Sequence, residues 1–158
     1  MFSTQDDTPA WGQPAAAATS VAFVYKYLAA NDSKRLLLGG DNNLWFMGPY
    51  NANNQLYTGI FTVGSATQTT GPVLAVAQAS TVNVSTYVED GAVKGTATKS
   101  QHCTHFDLGY TNDCYSDMAE IVSWDNDDET DRQLVEGYLA HKWGITLPGA
   151  HPYFSAAP

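Results

Sequence analysis

Four residues with metal-capable side chains cluster in the second half of the chain: His102, Cys103, His105 and Cys114. Structural zinc sites are typically built from Cys-x-x-Cys pairs, and the cluster contains none. Adjacent residues of an extended segment also point to opposite faces, which separates His102 from Cys103. The pattern therefore argues against zinc. Cys103 and Cys114 can instead form a disulfide, worth about 3 kcal/mol in the chain-entropy model, or remain two buried thiols.

An acidic segment, residues 125–131, offers oxygen ligands for a hard cation. Together with Glu136 it superficially fits an EF-hand loop, but Thr130 stands where that loop needs Gly for its sharp turn. We therefore predict no EF-hand. A looser calcium site and a solvated helix cap both remain open for this segment. The candidate calcium ligands are Asp125, Asp127 and Asp131.

Aromatic side chains are abundant, with nine Tyr, six Phe and four Trp. Exposed aromatic faces stack on sugar rings and also anchor protein interfaces. Trp45, Tyr50 and Tyr57 lie between turn-rich segments, so we take them as candidate ligand-binding residues in either role. Most of the other aromatic residues are expected in the core.

A short helix is predicted near the C-terminus, from about residue 129 to about residue 143. Asp128 is a good N-cap, and Asp131 is placed to complete a capping box. Gly144 supplies the left-handed residue that ends the helix, and Pro148 prevents it from resuming. Helical spacing assigns the apolar face to Leu134, Val135, Tyr138, Leu139 and Trp143. The opposite face then carries Arg132, Gln133, Glu136 and Ala140.

Upstream of the helix, short apolar segments recur at the regular spacing that a sandwich requires. The clearest is 20–28, where Val21, Phe23, Tyr25 and Tyr27 alternate onto one face. The others are 36–38, 44–47, 55–63, 73–78, 82–89, 92–98, 106–110 and 118–124. Asp90-Gly91 is a hairpin signal, because Gly accepts the positive φ of such turns. We predict an extended arm over 1–19 and one domain over 20–158.

Three stretches in the C-terminal part form a recognisable pattern. They read Ala-Glu-Ile-Val-Ser-Trp (119–124), Glu-Gly-Tyr-Leu-Ala-His-Lys-Trp-Gly (136–144) and Leu-Pro-Gly-Ala-His-Pro-Tyr (147–153). The pattern resembles the C-terminal signature of the concanavalin A-like lectin/glucanase superfamily, in the laminin G-like branch found in phage structural proteins and bacterial surface proteins. The resemblance implies an all-β fold, an antiparallel jelly-roll sandwich with one short C-terminal α-helix. It gives structural roles to Glu120, Trp124, Glu136, Tyr138, His141, Trp143, Gly144, His151, Pro152 and Tyr153.

Glycoside hydrolysis, the chemistry of the glucanases in this superfamily, needs two carboxylates that flank the scissile bond. The resemblance implies a Glu-x-Asp-x-x-Glu strand for that pair. The four Glu residues, at positions 89, 120, 129 and 136, do not occur in this pattern. Nucleophile-elbow, phosphate-loop and dinucleotide motifs are also missing from the sequence. We therefore predict a protein without enzymatic activity and, calcium aside, without a cofactor.

The net charge and the N-terminal residues limit which partners and which cellular location are expected. A formal net charge of −9 disfavours nucleic acid and anionic membranes as partners. The N-terminal residues are acidic, unlike the basic start of a signal peptide, so synthesis in a host cytoplasm is expected.

Two functions remain open from the sequence. The first, which we favour, is a structural or decoration protein on the surface of a bacteriophage virion. It would be bound to capsid or tail proteins, oligomeric or lattice-bound, and able to adhere to host-surface glycans. The alternative is a carbohydrate-binding module of a secreted or cell-surface bacterial protein.

Overall fold

The computed structural model describes residues 19–27, 37–39, 45–50, 53–58, 61–66, 71–80, 84–98, 107–108 and 116–158. The strands in these ranges are β1 (Thr19–Tyr27), β2 (Leu37–Gly39), β3 (Trp45–Tyr50), β4 (Asn53–Tyr57), β5 (Phe61–Ala66), β6 (Val73–Ala79), β7 (Ser85–Glu89), β8 (Ala92–Ala97), β9 (Asp107–Leu108) and β10 (Ser116–Trp124). A single helix follows within them, α1 (Glu129–Trp143), and no helix there is long and apolar enough to cross a bilayer. The predicted arm lies outside these ranges, apart from Thr19.

The strands form two sheets of five strands each. The order is β10-β1-β6-β7-β8 in one, here called the central sheet, and β5-β4-β3-β2-β9 in the other, the outer sheet. All pairings within both sheets are antiparallel. The predicted all-β fold, an antiparallel sandwich with one C-terminal helix, is confirmed.

The central sheet is covered on both faces. Phe23 and Tyr25 of β1 pack with Met47 and Leu56 of the outer sheet, as the alternation in the sequence predicts. Residues of the opposite face of β1 and β6 pack against the helix and the segment that follows it. Every residue of β6 is therefore buried, which explains the nearly continuous apolar sequence of this strand.

The predicted strand 55–63 is wrong. The structure has two antiparallel strands here, β4 and β5, and Tyr57 is paired with Phe61. This register requires the chain to reverse between them, and the intervening sequence contains Gly59, a turn signal. Apolar residues alternate on both sides of this turn, so the sequence reads as one continuous strand.

The hairpin between β7 and β8 turns at the predicted Asp90-Gly91 pair. Asp90 has a φ of 49° and Gly91 a φ of 75°, the two positive values that a type I′ turn needs. Asp90 also bonds the neighbouring strand, since its Oδ1 accepts from the Leu74 N–H at 2.8 Å. A Cβ added at Gly91 would lie 2.7 Å from Leu147 Cδ2. The turn therefore packs closely under the chain that follows the helix.

Helix α1 has the bounds that its sequence predicts. The side chain of Asp128 accepts from the N–H groups of Thr130 and Asp131, as an N-cap should. The predicted capping box is wrong, however. Asn126 Oδ1 accepts from the Asp128 N–H at 3.0 Å, and the Asn126 side-chain amide donates to Asp131 Oδ2 at 2.7 Å. The amide of Asn126 can both donate and accept, so it bridges the two carboxylate-bearing residues.

The helix ends at a left-handed glycine. Gly144 has φ 70° and ψ 32°, and the Ile145 N–H donates to the Ala140 carbonyl at 2.9 Å. This is the bond of a Schellman-type end, in which a residue past the glycine returns to the last turn. The chain is thereby directed back over the central sheet.

The helix turns a different face to the sheet than its apolar residues predict. Its buried residues are Arg132, Glu136, Gly137, Leu139 and Ala140. Leu134, Tyr138 and Trp143 are 46%, 42% and 37% exposed. Because buried charges are tolerated only when paired, the reason lies in what Arg132 and Glu136 bind.

Arg132 and Glu136 form a buried network with His151. Arg132 Nη1 donates to both carboxylate oxygens of Glu136, at 2.8 and 3.1 Å. His151 Nε2 lies 3.0 Å from Glu136 Oε2 and reaches it from the segment after the helix. Burial raises the pKa of the Glu136 carboxyl, although Arg132 and His151 both act to lower it. These charges satisfy one another, so they can replace apolar residues on the buried face.

The C-terminal segment also touches the helix backbone. A Cβ at Gly137 would lie 2.7 Å from Tyr153 Cγ, so only glycine allows this ring to approach so closely. The ring nitrogen Nε2 of His141 lies 2.8 Å from the Tyr153 carbonyl oxygen. Pro152, which precedes Tyr153, is exposed, and Trp124 packs into the apolar layer under the helix.

Candidate functional site

The aromatic candidates from the sequence lie on the outer sheet. Trp45 and Tyr50 are the first and last residues of β3, and Tyr57 ends the neighbouring strand β4. Tyr57 is half-buried and follows Leu56, which points into the core. The side chains of Trp45 and Tyr50 lie outside the described residues. A ligand site at these three residues therefore stays a prediction.

The metal candidates are not assembled into a site where the structure describes them. Among the described residues there is no group of three or more His, Cys, Asp or Glu side chains placed to hold a metal ion. This covers the calcium candidates Asp125, Asp127 and Asp131, the last of which accepts a hydrogen bond from Asn126. The cluster at 102–114, with the two cysteines, lies outside the described residues.

A groove of about 410 Å³ opens where β1 and β10 run beside the end of the helix. Its lining comes from residues 24–26 of β1, residues 117–119 of β10, Pro72 and Trp143. Apolar side chains and a few polar ones thus line the same open cleft.

An irregularity of β10 lies in this groove. Val24 is paired with Glu120 and the next residue, Tyr25, with Met118, so Ala119 is an additional residue in the edge strand. Such β-bulges bend a strand and change the direction of nearby side chains. Here the bulge separates Asp117 in the groove from Glu120 under the helix.

Beside the groove, four residues form what we call the aromatic cluster: Glu120, Tyr138, Lys142 and Trp143. The Tyr138 hydroxyl donates to Glu120 Oε1 at 3.0 Å, and Trp143 Nε1 donates to Glu120 Oε2 at 2.9 Å. Lys142 Nζ donates to the Tyr138 hydroxyl at 2.8 Å and lies 2.9 Å from Glu120 Oε2. One carboxylate therefore fixes two exposed aromatic rings, each by its polar atom.

Lys142 adds a second contact to both rings. Its ammonium lies 5.1 Å from the centroid of the Tyr138 ring and 5.6 Å from that of Trp143, within the range of cation–π attraction. The rings are thus held in place at the surface without being buried. A rigid, partly exposed ring is the kind of surface that binds a flat apolar partner at low entropic cost.

The charges of the cluster are stable near neutral pH. The hydrogen bond from Lys142 lowers the pKa of Glu120, and those from Trp143 and Tyr138 act in the same direction. The pKa of Lys142 is raised by its hydrogen bonds to Tyr138 and Glu120. A general acid for glycoside hydrolysis needs the opposite shift, a raised carboxyl pKa. The hydrogen bonds of Glu120 instead orient the rings of Tyr138 and Trp143.

Comparison with known proteins gives the fold and not a family. No family model and no curated protein matches the sequence. Among solved structures, the chain is similar to the binding domain of Paraclostridial Mosquitocidal Protein 1, with 13% identity, 83% of this chain and 41% of that chain covered, and a TM-score of 0.57. It is also similar to botulinum neurotoxin type C, which enters cells by interaction with two ganglioside molecules, with 11% identity, 83% and 39% covered, and a TM-score of 0.55.

A third similar structure is the CBM40 of a Ruminococcus gnavus IT-sialidase, bound to alpha2,3 sialyllactose. Identity is 14%, the match covers 75% of this chain and 81% of that chain, and the TM-score is 0.51. The chain spans about two fifths of the length of the first two structures named above. At such low identity, these likenesses show a shared β-sandwich fold.

Proposed function

We propose that this protein is a non-catalytic carbohydrate-binding module that holds a sugar ring in the groove, against Trp143. One observation carries the proposal: two exposed aromatic rings are fixed by a carboxylate beside an open groove of about 410 Å³. The C–H face of a pyranose is apolar and packs on an aromatic face, while its hydroxyls bond polar groups at the rim.

Support also comes from the structures of similar fold, one of which binds sialyllactose and another of which interacts with gangliosides. They favour the alternative hypothesis of the sequence analysis over virion decoration. Attachment to a capsid or tail, a virion-surface location and an oligomeric or lattice-bound state stay predictions, which no observation tests.

Glu120 is hydrogen-bonded to Trp143 beside the proposed sugar position, and its surroundings do not suit a general acid. Three donors surround this carboxylate and lower its pKa, so it remains ionised. An ionised carboxylate that is already hydrogen-bonded to two aromatic side chains does not protonate a leaving group.

The test is binding of the purified protein to a glycan array, followed by titration of the strongest glycan against variants. Trp143→Ala should weaken binding about tenfold, since it removes the stacking surface. Phe154→Ala is the matched control, because Phe154 is 50% exposed and does not line the groove. Trp143→Phe keeps a ring but loses the bond to Glu120, which separates stacking from positioning.

Melting temperatures of all variants confirm that each one folds. The proposal is overturned if the wild type binds no glycan, or if Trp143→Ala binds as tightly as Phe154→Ala. Loss of binding in Trp45→Ala alone would instead indicate a sugar site on the outer sheet, at the aromatic residues that the sequence suggests.

A further inference from the structure

Two opposite charges line the groove side by side. Lys26 of β1 and Asp117 of β10 are direct partners in the register of the two strands, and both are exposed. Directly opposed residues of an antiparallel pair lie on the same face with their Cβ atoms about 4.5–5.5 Å apart. The ammonium and the carboxylate therefore reach the same part of the groove.

The other charges near the groove are already satisfied by one another. Glu120 accepts from the two aromatic residues and from Lys142, and Lys142 also donates to the Tyr138 hydroxyl. Across the described ranges, by contrast, the structure records no ion pair between Lys26 and Asp117. These two side chains are left to contact whatever enters the groove.

We propose that the groove, unlike the similar structure that binds sialyllactose, selects an uncharged sugar residue over an acidic one, with Asp117 and Lys26 as the specificity-determining residues. This inference rests on the proposed function. A hydroxyl both donates and accepts, so it can donate to Asp117 and accept from Lys26 at the same time. A carboxylate only accepts: it bonds Lys26 but brings a second negative charge towards Asp117. The net charge of −9 adds repulsion of the same sign.

The probes are three methyl pyranosides, of glucose, galactose and mannose, and the three matching methyl uronates, which differ only by a carboxylate at C6. Binding is measured by NMR titration of the full chain at low ionic strength, where surface charges are least screened. At least one neutral glycoside should bind, and its uronate should bind more weakly, by less than about fivefold. About fivefold is the repulsion between two like charges about 4 Å apart in water, and the attraction of Lys26 offsets part of it.

Charge-neutralising variants then test which residue causes the difference between the two affinities. Asp117→Asn should shift the ratio of the two affinities towards the uronate by about fivefold, and Lys26→Gln should weaken the uronate further. Asp127→Asn and Lys94→Gln are the matched controls, because both residues are exposed and neither lines the groove. They should leave the ratio unchanged.

A uronate that binds as tightly as its neutral partner in the wild type would overturn this inference and leave the proposed function intact. An unchanged ratio in Asp117→Asn would overturn it as well. Failure of all three neutral glycosides to bind would also refute it, whereas the proposed function is judged separately by the array and by Trp143→Ala.

Discussion

Replacing Arg132 by Met should destabilise the protein far more than the loss of an ordinary surface charge. Arg132 and Glu136 are both buried, 2.8 Å apart, and His151 is the other partner of the Glu136 carboxylate. Met retains most of the aliphatic length of Arg, so packing of the side-chain stem is largely preserved. What remains is a buried carboxylate without its principal counter-charge.

The expected loss is about 3–5 kcal/mol, the usual cost of removing one partner from a buried ion pair. Against a total stability of about 5–15 kcal/mol for a natural domain, this is a large fraction. The double variant Arg132→Met/Glu136→Gln should recover much of the loss, because no unpaired charge stays buried. Glu136→Gln also keeps a group that can bond His151.

Urea unfolding followed by tryptophan fluorescence measures both effects. Glu129→Gln is the matched control: Glu129 is also an ion-pair partner of Arg132, at 3.2 Å, but is 74% exposed. That change should cost less than about 1 kcal/mol. A loss below about 1 kcal/mol in Arg132→Met, or a double variant no more stable than the single one, would refute the reasoning.

Three further outcomes are expected. Asp128→Ala removes the N-cap and should lower the free energy of unfolding by about 1 kcal/mol in urea; an unchanged value would contradict the capping geometry. Gly91→Ala should lower the melting temperature, because a left-handed residue costs roughly 1–2 kcal/mol and the new Cβ would lie 2.7 Å from Leu147, whereas Gly149→Ala meets open space and should not. Because burial raises the pKa of Glu136 above its usual 4.5, its contribution to stability is fully present below that pH and is lost as pH rises through the folded-state pKa. The stability of wild type relative to Glu136→Gln should therefore fall as pH rises from 4.5, and a constant difference would contradict this.

The parts of the fold that are encoded locally could be predicted from the sequence. Asp128 and Gly144 mark the two ends of the helix, and Asp90-Gly91 marks a hairpin, because each of these residues acts on its own stretch of backbone. The alternation in β1 likewise gave the correct core-facing residues. The capping box was wrong because a third residue, Asn126, satisfied both groups that the box would have joined.

The groove depends on contacts that the sequence does not display. Lys26 and Asp117 meet only because β1 pairs with β10, and the bulge at Ala119 sets which residues of β10 enter the groove. Neither the pairing nor the bulge has a local signal. Glu120 did belong to the recognised pattern, but its binding to two aromatic rings requires the helix to lie over the edge strand.

The buried network of the helix determines its orientation, and this orientation places Tyr138 near the proposed sugar site. Successive helical residues are about 100° apart, so Tyr138 lies roughly 200° around the axis from Glu136. Once Arg132 and His151 draw Glu136 inward, Tyr138 must face outward, where its hydroxyl reaches Glu120. An apolar-face assignment alone would have buried this ring. The buried charges therefore determine which aromatic side chains are presented at the surface, although Arg132, Glu136 and His151 do not themselves line the groove.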